Sequence, residues 1–309
     1  MKALRWIACI AGGVFFLSLA IGVVLLLTGP AEDIRQVWEV LRGSEQTFIG
    51  VQGDSQSIRM TDVQKVRLDM GAAAVSIVRH DGDEAEISYT TSGLGVNRRV
   101  LAECVDDTLT IRTEESIAWS LWNWQRLRVT IALPAAYAGK LDVDMTAGTL
   151  LLEEKQRFSA TKLRMGAGTL RIEELDTDTL DADMDAGQLV IDKLNSTSYT
   201  LTVDAGSATL DEATGAGEVT VNAGSARVTC AQLTDTMRLR VSAGSLRLRL
   251  PEDAAATLSL KASAGSVRQE FGARFSGVDS NNRIEGTVNG GGALISGDVS
   301  AGSLRIERD

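Results

Sequence analysis

The chain has 309 residues, 44% hydrophobic and 5% aromatic, with 31 basic and 41 acidic side chains for a net charge of −10. One histidine, three cysteines without a CxxC pair and three prolines exclude a His-based triad, a His-rich metal site, a disulfide framework and a proline-rich chain. An acidic chain with no basic run is also a poor nucleic-acid binder.

Residues 7–27, IACIAGGVFFLSLAIGVVLLL, form an apolar run of 21 residues. At ~1.5 Å per residue it spans roughly 30 Å, the thickness of a bilayer's hydrocarbon core. The run ends in Thr28-Gly29-Pro30, a poor cleavage site, and so predicts one uncleaved N-terminal transmembrane helix rather than a signal peptide. Cys9 falls too early to be a lipoprotein cysteine. Lys2 and Arg5 precede the run, and Glu32 and Asp33 are the first charges after it. The positive-inside rule then places the N-terminus in the cytoplasm and the rest outside the cell membrane. This divides the chain into a cytoplasmic tip and anchor (1–29), a juxtamembrane amphipathic segment (30–50) and an extracytoplasmic domain (51–309). Ile34, Val37, Trp38 and Leu41 give the juxtamembrane segment its helical spacing. Beyond the anchor, 29 bases face 41 acids, a net charge of −12.

His80 lies in HDGDE, whose Asp81-Gly82 predicts a hairpin tip rather than a metal site of His80 with Asp81 and Asp83. Trp119, Trp122 and Trp124 crowd the connection between a strand ending near Thr113 and one beginning near Leu127. They are expected to cap the membrane-proximal end of the fold, or to form an exposed aromatic patch for membrane, sugar or a partner.

A short motif then recurs: MTAGTLLL at 145–152, MGAGTLRI at 165–172, MDAGQLVI at 184–191, VDAGSATL at 203–210, VNAGSARV at 221–228, VSAGSLRL at 241–248, ASAGSVRQ at 262–269 and VSAGSLRI at 299–306. MGAAAVSI at 70–77 and VNGGGALI at 288–295 are divergent copies. From Gly148 through Gly168, Gly187, Gly206, Gly224 and Gly244 to Gly265 the steps are 20, 19, 19, 18, 20 and 21 residues, and Gly302 belongs to the last copy. Positions −5 and −3 from each glycine are mostly apolar, and after it +2 and +4 are apolar instead. The buried parity therefore flips across Ala-Gly, which requires a corner or bulge there. Glycine at the corner tolerates positive φ. The period is too short for helical repeats or propeller blades, and it predicts an all-β, single-stranded parallel β-helix of ~19-residue rungs. Cys104 and Cys230 would then lie several rungs apart and remain unpaired, even in an oxidising compartment.

The chemistry available is sparse. Asp185, Asp204 and Asn222 share the −2 column, but tandem calcium-binding repeats need more glycines, so a ladder of polar side chains is expected. Asp142/Asp144, Asp181/Asp183/Asp185 and Glu173/Glu174 stand at solvated positions, not isolated among aromatics as sugar cleavage requires. The +1 serines, including Ser207, Ser225, Ser245, Ser266 and Ser303, have no histidine partner, and Gly290-Gly291-Gly292 is not followed by the lysine and helix of a phosphate loop. No catalytic residue, metal ligand or cofactor is expected.

Charge, by contrast, is patterned. Residues 155–220 hold 12 acids and 6 bases, whereas 221–309 hold 9 acids and 11 bases. Position +3 contributes Arg227, Arg247, Arg268 and Arg305, with Arg171 as an earlier member and Arg249 extending the face. Stacked rungs would set these arginines ~4.8 Å apart, suited to a repeating polyanion such as an anionic envelope polymer.

VQKVRLDMGAAAVSIVRHDGDEAEISYT at 63–90, LRVTIALPAAYAGKLDVDMTAGTLLLEE at 127–154 and GTVNGGGALISGDVSAGSLRIE at 286–307 resemble the bacterial DUF4097 family. The resemblance implies a β-solenoid, a frequent N-terminal membrane anchor, an adhesin label and no enzymatic activity; some relatives are encoded beside envelope-stress systems. The chain departs from the family in its tryptophan-rich insertion. The expectation is a membrane-anchored, non-enzymatic envelope protein acting in interaction or adhesion. Alternatives are an accessory regulator working through its anchor and a carbohydrate-active solenoid enzyme.

Overall fold

The computed structural model describes residues 50–92, 99–114, 126–233 and 235–309, all within one unit, Ile49–Asp309. The expected anchor, the juxtamembrane segment up to Ile49, and Trp119, Trp122 and Trp124 lie outside the described residues. Among the described residues no helix is long and apolar enough to cross a membrane.

The strands are β1 (Gly50–Arg59), β2 (Lys65–His80), β3 (Glu84–Ser92), β4 (Arg99–Val105), β5 (Thr108–Glu114), β6 (Arg126–Pro134), β7 (Lys140–Gln232), β8 (Met237–Leu250), β9 (Ala256–Ala262), β10 (Ser266–Gln269), β11 (Phe275–Ser280), β12 (Arg283–Val288) and β13 (Ala293–Arg308). The 93 residues of β7 are one continuous ribbon that winds through several rungs. Rungs stack in parallel and in register. Met70 lies beside Met145, Ser225 beside Ser245 and Leu304 beside Leu246. The all-β solenoid is therefore as the repeat predicts.

Its core follows the same columns. At −7, −5 and −3 stand residues such as Leu141, Val143 and Met145, and at +2 and +4 Leu150 and Leu152, all at 1% exposure or less. Each such side chain, stacked on its equivalent above and below, contributes roughly 1.5–3 kcal/mol of burial. Polar groups that enter the interior are satisfied: Thr161 Oγ1 donates to Thr177 Oγ1 at 3.2 Å, and Thr177 Oγ1 donates to the Thr179 carbonyl at 3.0 Å.

The corner glycines need their identity for a reason the parity flip does not reveal. A Cβ on Gly168 would stand 1.9 Å from the Gly148 carbonyl oxygen, and on Gly187 2.0 Å from that of Gly168. The same contact recurs at every corner, so the glycines form one close-packed column. Positive φ is confined to Gly148, Gly168, Gly187 and Gly206, at 119° to 151°, among the eight motif glycines. For Gly224, Gly244, Gly265 and Gly302 the contact alone forbids a side chain.

Two expectations of chain order are corrected. The sequence suggests that the rung of Gly265 follows that of Gly244. Instead β13 lies between them, pairing in parallel with β8 on one side and with β9 and β10 on the other. The β11–β12 hairpin then covers β9, with β12 antiparallel to it. Every rung carries the same motif, so the spacing 244→265 cannot reveal an insertion.

At the other end HDGDE is a turn but not a hairpin tip. β6 stands between β2 and β3, parallel to the first and antiparallel to the second. Together β5 and β6 form a further rung below β2, Val66 beside Leu109 and Val75 beside Val129. In the chain, residues 115–125, with the three tryptophans, fall between these two strands and outside the described residues.

Candidate functional site

Because side chains alternate along each run, the +1, +3 and +5 positions project from one face of the solenoid. On this face the insertion of β13 has a consequence. Ser225-Ala226-Arg227, Ser245-Leu246-Arg247, Ser303-Leu304-Arg305 and Ser266-Val267-Arg268 occupy four consecutive rungs in that order. The four arginines predicted to form a row do so, with Arg305 inside the row rather than at its end. Arg171 is not a member. Val190 and Thr209 separate it from Arg227, and its Nη2 lies 2.5 Å from Asp192 Oδ2.

The +5 column supplies partners that the +3 spacing does not disclose. Glu307, with its side chain 11% exposed, sits 2.8 Å from Arg249 Nε and 3.6 Å from Arg247 Nε. Glu270 lies 3.3 Å from Arg305 Nη1. Among the described residues Arg227 and Arg268, at the two ends of the row, have no ion pair. The acids were visible in the sequence, but assigning Glu307 to Arg247 and Arg249 required knowing which rungs are neighbours.

Counting outward positions gives the face its electrostatic character. The rungs of Gly148, Gly168, Gly187 and Gly206 carry Arg171 against Glu153, Glu173, Asp192 and Asp211, a net −3. The rungs of Gly224, Gly244, Gly302 and Gly265 carry Arg227, Arg247, Arg249, Arg305 and Arg268 against Glu307 and Glu270, a net +3. One sheet face thus inverts its charge along the solenoid axis.

Of the carboxylates weighed for catalysis, Asp142, Asp144, Asp181, Asp183 and Asp185 precede their corners, whereas Glu173 lies on the charged face and Glu174 follows it at +6. Asp142 pairs with Lys65 at 2.7 Å and Asp181 with Lys162 at 2.9 Å. Lys155 joins Glu174 and Asp176 at 2.9 and 2.8 Å. Hydrogen bonding to that lysine lowers the Glu174 pKa. Desolvation, and then the charges of Asp185, Asp204 and Asp181, raise the Asp183 pKa above its ordinary value. The −2 column is a hydrogen-bonded ladder: Asn222 Nδ2 donates to Asp204 Oδ1 at 2.5 Å, and Ser242 Oγ to Asn222 Oδ1 at 3.1 Å. Among the described residues no group of three His, Cys, Asp or Glu could hold a metal ion. Both His80 nitrogens are engaged by backbone, Nδ1 accepting from Gly82 N–H at 3.1 Å and Nε2 lying 2.7 Å from the Glu84 carbonyl. Cys104 is exposed and Cys230 buried, both free.

A structural node that the sequence did not suggest surrounds Arg79. Its guanidinium donates to Gln156 Oε1 and to the carbonyls of Pro134, Tyr137 and Arg157, at 2.7–2.9 Å. It also stands 4.8 Å over the centre of the Phe158 ring.

Stacked parallel rungs with glycine corners and outward charged ladders define a β-solenoid with one charge-patterned face. Toastrack DUF4097 is the family whose model matches, over residues 63–307, and the chain belongs to it. The fold is similar to that of a putative adhesin from Bacteroides fragilis, at 10% identity over 82% of this chain and 96% of that one, with a TM-score of 0.49. It is also similar to a putative adhesin from Parabacteroides merdae, at 9% identity over 82% and 95%, with a TM-score of 0.41. A putative lipid binding protein from Parabacteroides distasonis is 12% identical over 82% and 96%, with a TM-score of 0.38. No curated relative matches the sequence.

Proposed function

We propose that the chain is a non-enzymatic β-solenoid of the cell envelope, held outside the cytoplasmic membrane by residues 7–27 and acting in interaction or adhesion. The observation that carries this reading is the charge-inverted face, net −3 over four rungs and +3 over the next four. Such an open, regular face on a hydrogen-bonded scaffold suits a large partner better than a small substrate. Pairing of Asp142, Asp181 and Glu174 with lysines supports the same reading, since it occupies carboxylates that acid–base chemistry would need.

The test has two arms. Protease added to intact spheroplasts should digest the domain, and full protection would overturn the topology. Replacing residues 1–29 by an unrelated single-pass anchor should leave retention on isolated envelopes intact. Loss of retention would mean a regulator acting laterally through its own anchor and juxtamembrane segment. Release of reducing ends from envelope polysaccharide by the wild-type chain would overturn the non-enzymatic reading.

A further inference from the structure

We propose that the Ser-x-Arg face formed by Arg227, Arg247, Arg305 and Arg268 binds a chain-like polyanion, one carrying phosphates or carboxylates at regular intervals. The proposal rests on the envelope reading above and names the ligand chemistry of its contact face.

Three observations carry it. First, the row runs unbroken over four consecutive rungs, with β13 inserted between β8 and β9–β10 and Arg305 therefore between Arg247 and Arg268. Second, within the row the two arginines that have no ion pair among the described residues are those at its ends, Arg227 and Arg268. Three rung steps of ~4.8 Å separate Arg227 from Arg268, about 14 Å. A single small anion cannot touch both; a chain of anions can. Third, the middle of the row is held in place yet not exhausted. Arg247 and Arg305 remain 39% and 37% exposed while paired to Glu307 and Glu270. Each of those pairs engages part of a guanidinium that has five N–H donors. Ser225, Ser245, Ser303 and Ser266 add a parallel row of hydroxyls two residues away. The adjoining −3 half of the same face repels such a ligand, so it is confined to the distal four rungs.

Binding is measured with the full-length chain in non-ionic detergent, using long-chain polyphosphate and polygalacturonate as separate probes. The wild type should bind at least one of them, more than tenfold more weakly when salt is raised from low to physiological strength. R227Q/R268Q should lose about tenfold or more in affinity. R67Q/R238Q removes the same charge from another face and should stay within twofold of wild type. Polyphosphate binding alone identifies a phosphate polymer, polygalacturonate binding alone a uronate polymer, and both together a site set by anion spacing. Equal weakening in both double variants, undiminished binding by R227Q/R268Q, no binding of either polymer, or equal competition by inorganic phosphate at matched phosphate would each overturn the proposal. So would salt-sensitive dimerisation of the chain, lost in R227Q/R268Q, without polymer binding; the face would then pair acidic and basic halves of two copies. If R227Q/R268Q is retained on isolated envelopes while polymer binding is absent, the face assignment fails and the envelope reading stands.

Discussion

The carbonyl oxygen of Gly187 lies 2.2 Å from the place where a Cβ on Gly206 would stand. That oxygen belongs to the backbone of the neighbouring rung, so a side chain can be fitted only by separating the two coils.

Three substitutions separate this contact from backbone strain. Gly206 has φ 151° and the contact; Gly244 has a 2.3 Å contact with Gly224 O and no positive φ; Gly272 has φ 57° and open space. Gly206→Ala and Gly244→Ala should each cost about 3 kcal/mol or more, and Gly272→Ala about 1 kcal/mol. Urea unfolding midpoints read the difference. A benign Gly244→Ala would show that conformation, not stacking, selects the corner residue.

Arg79→Lys should destabilise the first rungs by about 2–4 kcal/mol. The planar fork serves four acceptors from one position, which a lysine ammonium with three donors cannot match, and the stacking on Phe158 is lost with it. Burial already pushes the Arg79 pKa down to about 10. Thermal unfolding of the two proteins measures the cost, and an unchanged midpoint would contradict the assigned role.

Much of the architecture was legible because a solenoid writes its core into every rung. Val143, Met145, Leu150 and Leu152 announced the buried columns, and the +3 arginines announced their row. Rung order was not legible, since the motif around Gly302 fits beside Gly244 as well as the one around Gly265 does. The β5–β6 rung was hidden for a different reason: residues 115–125 interrupt it where the motif would be. Partners such as Glu307 lie 58 residues from Arg249 in the chain, and only the pairing of β13 with β8 brings them together.

Asp183→Asn should stabilise the protein at neutral pH, by less than about 1 kcal/mol given solvent screening. Desolvation and then the charges of Asp185, Asp204 and Asp181 raise its folded pKa above the ordinary value. The folded state therefore binds the proton more tightly than the unfolded state. Stability falls as pH rises through the window between the two pKa values and stays lower above it. The advantage of asparagine should shrink as pH is lowered through that window. A gain independent of pH would point to packing instead of charge.

Thiol labelling should separate the two cysteines of the domain. In a Cys9→Ser background at pH 8, exposed Cys104 should react fast. Burial pushes the Cys230 thiol up to about 12, and its Sγ lies 3.6 Å from Met237 Sδ. It should react only after denaturant is added. Two fast thiols in the native protein would mean that the rung edge at Cys230 opens readily.

The order of the last rungs can be fixed by cross-linking. Ser245 is registered with Ser303, and Ser303 with Ser266. Neighbouring parallel strands stand ~4.8 Å apart, inside the Cα range of a disulfide, whereas two steps make about 10 Å, outside it. In a chain carrying Cys9→Ser and Cys104→Ser, with Cys230 left buried, the pairs Ser245→Cys/Ser303→Cys and Ser303→Cys/Ser266→Cys should oxidise to intramolecular disulfides. The pair Ser245→Cys/Ser266→Cys should not. All three sites sit on the outward +1 column, so the substitutions leave the core untouched and the readout reports position alone. Ready closure of the third pair, with failure of Ser245→Cys/Ser303→Cys, would restore simple chain order and move Arg305 from inside the arginine row to its end.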